Sequence, residues 1–261
     1  LGMTAAAITD HGAMFGVIDF YRAARAEGIK PILGCEVYVA PNSRFDKETT
    51  GGDDRYYHLV LLAENNQGYQ NLMKIVSKSF KEGFYYKPRV DLELLREYHE
   101  GLIALSACLA GEVARFLTRG MYPDAKKAAL RYQEIFGEGN FFLELQDHGI
   151  PEQQNVNQQL LRMHQETGID LVATNDIHYT YKEDADPHDI LLCLQTGKKL
   201  SDTDRMRYEG GQYYVKSEQE MAALFPYALE ALENTHKIAE RCHVEIEFGV
   251  TKLPRFDVPE G

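Results

Sequence analysis

The segment FFLELQDHGIPEQQNVNQQLLRMHQETGIDLVATNDIHYT, residues 141–180, decides the fold of this chain. Its first part, FFLELQ at 141–146, is a continuous apolar run of strand length, and the stretch after it predicts a long helix near 151–167. A second apolar run, DLVATND at 170–176, predicts another strand. Strand, helix and strand in this order are typical of a βαβ unit with parallel strands.

The same alternation of strand and helix continues on both sides of this unit. Earlier strands are predicted at 5–10, 31–40, 58–63 and 102–107, and helices at about 13–27, 66–80, 111–119, 123–136 and 186–196. Five or six such repeats predict an α/β fold whose parallel sheet is covered by helices. A closed barrel and an open, doubly wound sheet both satisfy the pattern. We favour the barrel, because no G-x-G-x-x-G motif follows any strand, and an open sheet that binds a dinucleotide would be expected to carry one.

The last sixty residues differ in character from this repeat. YYVKS at 213–217 resembles a short strand, Ser217 and Glu220 form a capping-box pattern, and a further helix is predicted at about 227–242. KLPRFDVPEG at the end reads as an exit linker. These features predict a barrel over 1–200, its C-terminal strand and two helices over 201–250, and a linker over 251–261.

Composition excludes several classes of protein. The 261 residues include 28 Lys and Arg against 40 Asp and Glu, a formal net charge of −12, with 44% hydrophobic residues. The composition is that of a globular protein, and its acidity disfavours an extensive nucleic-acid groove but not a metal site that acts on phosphates. Without a long apolar run or a secretory leader, and with four scattered cysteines, the chain is expected in a reducing cytoplasm. Because it begins with LGMTAAAITD, we interpret it as a fragment of a longer protein.

Potential metal ligands recur where the predicted strands end. Chemistry on a parallel α/β scaffold is expected there, because the loops converge on one mouth. No G-x-S-x-G elbow and no P-loop offers a competing site. The candidates are Asp10, His11, Glu36, His58, Cys108, Asp147, His148, Asp176 and His178.

The pair Asp176 and His178 gives the sharpest local signal. Residues i and i+2 of a strand point to the same side, so both side chains can face one ion. The alternative is a polar loop with an aspartate that caps a helix. Similarly, His11 can bind metal with Asp10 orienting a neighbouring ligand, or Asp10 can cap the following helix.

The remaining candidates also have two interpretations each. Glu36 lies within ILGCEVYVA, where a carboxylate is costly to bury unless it is paired or bound, although an edge strand could expose it. His58 could be structural, since it opens an apolar run. Cys108 could be a small buried hydrophobe or, near a helix N-terminus, a thiolate that binds zinc. The position of His148 suits a ligand, but the sequence does not determine on which face of the strand its side chain lies.

Several motifs together resemble a known family. They are ITDHG (8–12), GCEVYV (34–39), HLVLLAENNQGYQNLMKIVS (58–77), LSAC (105–108), ELQDHG (144–149), ATNDIHYT (173–180) and, in the tail, YYVKSEQEM and LENTHKIAERC. In this order they closely resemble the PHP (polymerase and histidinol phosphatase) domain of bacterial replicative DNA polymerase III alpha subunits. The resemblance covers essentially the whole chain, and HLVLLAENNQGYQNL favours the polymerase type over stand-alone PHP phosphatases.

The resemblance implies a distorted, seven-stranded (β/α) barrel with up to three zinc or manganese ions in its mouth. The ligands it implies are His11, Glu36, His58, Cys108, Asp176 and His178, with Asp10 and His148 as weaker candidates. His11, Asp176 and His178 are also the residues that we expect to act in catalysis. The family opens with an H-x-H strand that this chain lacks, so we expect the fragment to fold poorly alone or to bind metal weakly.

The resemblance also implies an activity and partners. The activity is metal-dependent phosphoester hydrolysis, as a 3′→5′ exonuclease on a DNA primer end, within a parent DNA-directed DNA polymerase whose polymerising carboxylates lie beyond Gly261. The implied partners are primer-template DNA, the polymerase core and a separate proofreading exonuclease subunit. If the barrel is inactive, its implied role is to provide the surface on which that exonuclease subunit docks. A stand-alone phosphatase acting on a compound such as histidinol phosphate is the alternative.

Overall fold

The computed structural model describes residues 1–48, 55–251 and 253, and most of the predicted linker over 251–261 lies outside them. The chain folds as an α/β structure whose sheet curls into part of a barrel. The strands of this sheet are β1 Ala5–Ile8, β2 Lys30–Val39, β3 Tyr57–Ala63, β4 Arg89–Val90, β5 Leu102–Leu105, β6 Phe141–Leu145 and β7 Leu171–Ala173. They are ordered β1-β2-β3-β5-β6-β7, and the short β4 pairs with β2.

Helices follow most of these strands, as the alternating pattern predicts. Their bounds are α1 Val17–Ala26, α2 Asn66–Lys81, α3 Leu92–Tyr98, α4 Glu112–Thr118, α5 Tyr122–Phe136, α6 Pro151–Thr167, α7 Ala185–Thr196, α8 Glu218–Leu224 and α9 Leu229–Arg241. No helix within the described ranges is both long and apolar enough to cross a bilayer. The α/β barrel-like class that the sequence predicts is therefore confirmed.

One strand contradicts the prediction of a wholly parallel sheet. β3 runs antiparallel to both of its neighbours, β2 and β5, whereas β1–β2, β5–β6 and β6–β7 are parallel. An antiparallel neighbour needs no crossover helix. The described part of the loop between β2 and β3 accordingly contains no helix. The antiparallel direction brings the first residues of β3 to the edge where β2 ends.

Two other local predictions need correction. YYVKS is not a strand of the sheet; Tyr213 and Val215 instead make backbone hydrogen bonds to the loop at 178–180. The sequence reading also missed β4 and α3. The signal for α3 was present, since Asp91 precedes LELLREY and its side chain accepts a hydrogen bond from the backbone N of Leu94 at 3.0 Å.

The apolar side chains fill both faces of the sheet. Alternate residues of the strands point to opposite faces, so each strand contributes to two layers. The layer between sheet and helices includes Val37, Leu59, Leu61, Ala104, Leu143 and Leu160. The layer on the opposite face of the sheet includes Ile32, Val60, Leu62, Ile103, Leu105, Phe142, Val172 and, from α9, Ile238. The polar residues next to this second layer form the candidate site.

Candidate metal centre

Three of the predicted ligands meet at one point. The Nδ1 atom of His11 lies 2.9 Å from Oε1 of Glu36, and Nδ1 of His58 lies 2.5 Å from the same oxygen. One ligand atom from each residue falls within 4.8 Å of the others. Glu36 is only 5% exposed, so the edge-strand alternative with an outward-facing carboxylate is wrong.

Backbone pairing holds His11 and Glu36 together. The backbone N of Glu36 donates to the carbonyl of Asp10 at 3.1 Å, and the backbone N of Gly12 donates to the carbonyl of Glu36 at 2.8 Å. Gly12 has φ +64°, and a Cβ atom there would lie 2.6 Å from the ring of Tyr38. Glycine is therefore required at this turn, because it combines a left-handed backbone with a close aromatic neighbour.

The antiparallel pairing of β2 and β3 places His58. Tyr38 pairs with His58, and Glu36 pairs with Val60, so Glu36 and His58 are diagonal neighbours on one face of the sheet. In a parallel sheet the start of β3 would lie at the opposite edge. His58 is thus a member of the cluster because β3 runs against its neighbours.

Cys108 joins the same group from the end of β5. Its Sγ atom lies 3.5 Å from Nδ1 of His58. Burial raises the pKa of the Cys108 thiol well above its usual range, and the nearby charges of Glu36 and Asp176 raise it further. The protein alone therefore favours the thiol form, and α4, whose N-terminus could support a thiolate, starts only at Glu112. A cation beside the sulfur would reverse this balance.

Asp176 and His178 complete the group from the loop after β7. The rings of His178 and His11 are 5.8 Å apart, and Nδ1 of His178 lies 3.8 Å from Oδ1 of Asp176. Nδ1 of His178 is also 2.8 Å from the Asp176 carbonyl, to which its N–H donates, so Nε2 keeps the lone pair. Asp176 has φ +45°, a left-handed conformation that is unusual for aspartate.

The two weaker candidates lie elsewhere. His148 is 2% exposed, its Nε2 donates to the carbonyl of Asn175 at 2.7 Å, and its Nδ1 accepts from the amide of Gln153 at 2.9 Å. Both ring nitrogens are thus committed, and His148 fixes the loop that carries Asp176. Asp10 is exposed and does not cap α1, whose N-cap Gly16 has no side-chain hydrogen bond.

The cluster concentrates negative charge in a poorly solvated space. Burial raises the pKa of Glu36, but hydrogen bonds from His11 and His58 and their charges outweigh it and lower the pKa to about 2. The hydrogen bond between His11 and Glu36 raises the pKa of His11, whereas burial lowers it. Burial raises the pKa of Asp176, although the charge of His178 opposes this shift.

Sequence reasoning missed several residues around the cluster. The ring of Tyr208 lies 4.2 Å from that of His178, and the ring of His188 lies 5.8 Å from it. Glu144 is a buried carboxylate on β6. An acidic residue inside an apolar strand was the signal for Glu144, as it was for Glu36.

The donor set fits divalent metal ions. Two imidazoles and the Glu36 carboxylate place ligand atoms within 4.8 Å of one another, and the Cys108 thiol lies 3.5 Å from His58. This mixture suits zinc while also admitting manganese. A bound cation would stabilise the ionised forms of the buried acidic groups whose pKa values are raised. The arrangement is therefore chemically complementary to a metal centre.

Known proteins are similar to this chain over much of its length. Residues 1–148 match the PHP domain family. The DNA polymerase III subunit alpha of Treponema pallidum is 48% identical over 259 residues, which cover 99% of this chain and 22% of that protein. The same-named proteins of Borreliella burgdorferi and Thermus aquaticus are each 46% identical, over 98% of this chain and 22% of their own lengths. The chain spans about a fifth of the length of these curated relatives. With more than half of its residues matched, the chain belongs to the PHP domain family.

Proposed function

We propose that this chain is the PHP domain of a bacterial replicative polymerase of the alpha-subunit type, and that its cluster is a metal-dependent phosphoesterase centre. Its substrate is the 3′ end of a DNA primer, which it shortens as a 3′→5′ exonuclease. The observation that carries the proposal is the convergence of His11, Glu36 and His58 within 4.8 Å. The identity to polymerase subunits over nearly the whole chain favours this function over a stand-alone phosphatase.

Six residues would hold the ions: His11, Glu36, His58, Cys108, Asp176 and His178. Bound divalent ions would supply Lewis-acid stabilisation of phosphate charge and make water easier to deprotonate near neutral pH. Zinc is favoured by the thiol and the three imidazoles, and manganese by the carboxylates. The elemental analysis described below distinguishes zinc from manganese as the native metal.

Three of these residues are suited to act on the substrate as well. His11 is the most open member, with 44% of its side chain exposed, and its hydrogen bond to Glu36 orients the ring. His178 is oriented in the same way by the Asp176 carbonyl. When its Nε2 is not bound to an ion, a histidine whose Nδ1 is fixed by an acceptor can give or take a proton at the reacting phosphate. Asp176 would fix the position of His178 relative to the ion.

The partners in this proposal are those of the parent protein. They are primer-template DNA, the polymerase core of the same protein and a separate proofreading exonuclease subunit, all in the bacterial cytoplasm. The acidic composition of the chain disfavours a grip on DNA by this domain alone. The DNA would instead be delivered to the cluster by the rest of the protein.

Elemental analysis of the full-length protein tests the proposal. We expect two or three equivalents of zinc or manganese in the wild type and a clear reduction in Asp176→Ala, while Asp186→Ala on the exposed surface of α7 serves as the control. Degradation of a 3′-labelled primer should follow the metal content. A wild-type protein without metal would contradict the proposal and leave a structural domain that supports its partners.

A further inference from the structure

Glu144 is a buried carboxylate that the metal cluster does not use directly. It is 6% exposed and lies on the same face of β6 as Phe142. Strand β6 lies between β5, which leads to Cys108, and β7, which leads to Asp176. Burying a carboxylate at such a central position is costly unless its oxygens accept hydrogen bonds.

One oxygen of Glu144 is bound to the end of β5. Its Oε2 accepts a hydrogen bond from the backbone N of Ala107 at 2.9 Å. Ala107 directly precedes Cys108 and has φ +64°, a conformation that costs energy in a residue with a Cβ. The backbone N of Glu144 also donates to Ser106 Oγ at 2.8 Å. Glu144 therefore stabilises the unusual turn that presents the Cys108 thiol.

The other oxygen is bound to the end of β7. Oε1 of Glu144 accepts a hydrogen bond from the hydroxyl of Thr174, and the amide of Gln146 donates to the same atom at 3.2 Å. Thr174 lies two residues before Asp176, whose backbone is also left-handed. Each of the two strained strand ends is thus joined to a different oxygen of one side chain.

We propose that Glu144 is a positioning residue that holds Cys108 and Asp176 at the mutual distance required for metal binding. The inference rests on the proposed function, because it assigns a role toward the same centre. A carboxylate suits this role because both of its oxygens accept hydrogen bonds, whereas an amide offers only one acceptor. Glu144 itself does not contact the ion.

Cobalt titration of the full-length protein, with no substrate present, tests this role. Cobalt is the probe because a thiolate ligand gives a cobalt charge-transfer absorption, which reports on Cys108. Glu144→Leu removes both acceptors and should weaken cobalt binding by about 10–100-fold and diminish this absorption. Glu144→Gln, which keeps one acceptor and can donate to the Thr174 hydroxyl, should restore only part of both signals.

A second buried carboxylate provides the matched control. Asp91 is 2% exposed and accepts hydrogen bonds from Arg44 and from the backbone N of Leu94, none of which is a candidate ligand. Asp91→Asn should lower stability without changing the cobalt spectrum. If Glu144→Leu alters cobalt binding no more than Asp91→Asn does, Glu144 is merely structural and the proposal is wrong.

A further pair of variants decides the outcome should Glu144→Leu not fold. Thr174→Val removes the hydroxyl, which donates to Glu144 and accepts from the Gln146 amide, and should weaken cobalt binding, whereas Thr174→Ser should restore it. Wild-type binding in Thr174→Val would overturn the positioning role. A wild-type protein that takes up no cobalt would overturn the proposed function together with this inference, whereas normal cobalt binding in Glu144→Leu would overturn this inference alone.

Discussion

Nδ1 of His58 lies 2.5 Å from Oε1 of Glu36, although the two residues belong to strands that run in opposite directions. A carboxylate oxygen accepts and cannot donate, so the imidazole donates through Nδ1 and keeps the Nε2 lone pair. His11 approaches the same oxygen through its own Nδ1. Glu36 thus fixes the orientation of two histidines at once, and the first prediction follows from this shared acceptor.

Replacement of Glu36 by Gln should abolish metal retention more completely than loss of any one histidine. The amide removes the negative charge that attracts the ion and that strengthens the hydrogen bonds from both imidazoles. We expect zinc or manganese content to fall at least about tenfold, measured by elemental analysis after dialysis. Glu64→Gln is the matched control, because Glu64 follows the other end of β3 and pairs with Arg241. Equal metal contents in the two variants would contradict the assigned centre.

Replacement of Gly12 by Ala should destabilise the turn that carries His11. The new Cβ atom would lie 2.6 Å from Tyr38 in a backbone with φ +64°, so we expect a loss of about 1–3 kcal/mol in the free energy of unfolding. Gly28→Ala is the control, since Gly28 has φ +71° but no heavy atom within 4 Å of the position that a Cβ would take. Urea denaturation should show a loss of about 1 kcal/mol for this control. Equal losses would mean that the contact with Tyr38 is unimportant.

The stability of the metal-free protein should depend on pH through Glu144. Burial raises the pKa of Glu144 to about 7 in the folded protein; the Thr174 hydrogen bond lowers it, and the charges of Glu36 and Asp176 raise it. Between its ordinary pKa of 4.5 and about 7, the folded state binds a proton that the unfolded state has released. Stability from this group is therefore complete below pH 4.5 and declines as the pH rises toward 7, by about 3 kcal/mol at most.

Comparison with Glu144→Gln isolates this effect from other titrating groups. The neutral amide does not titrate, so the difference in unfolding free energy between wild type and variant should change across pH 4.5–7. Urea denaturation at several pH values, with a chelator present, measures it. A difference that stays constant with pH would show that Glu144 has an ordinary pKa.

Replacement of Cys108 by Ser should change the selectivity of the centre for different metals. A thiolate is a soft ligand that favours zinc, whereas manganese prefers oxygen donors. We therefore expect zinc affinity to fall by about tenfold or more and manganese affinity to change much less. Competition titrations with a chromophoric chelator measure both affinities. Cys193→Ser, at a buried thiol on α7, is the control, and equal losses for both metals would place Cys108 outside the ligand set.

Most of the residues that the structure brings near one another were predicted from the sequence, because the chemistry of candidate ligands is visible in residue type and position. Glu36 stands out as an acid within an apolar strand, and Asp176 and His178 stand out by their spacing after β7. His148 has the same residue type and a similar position, but Gln153 and Asn175 engage both of its nitrogens. Asn175 lies 27 residues away in the chain, so its hydrogen bond to His148 cannot be read from a local pattern.

The sequence by itself determined the α/β class, the bounds of most elements and the residues able to bind metal, because apolar periodicity and ligand chemistry are local properties. Only the tertiary structure decided that β3 runs antiparallel, and this direction brings His58 to Glu36. It also decided that Glu144 joins the ends of β5 and β7. Strand direction and burial depend on contacts between segments far apart in the chain, and these contacts select one arrangement among several that the same local pattern permits.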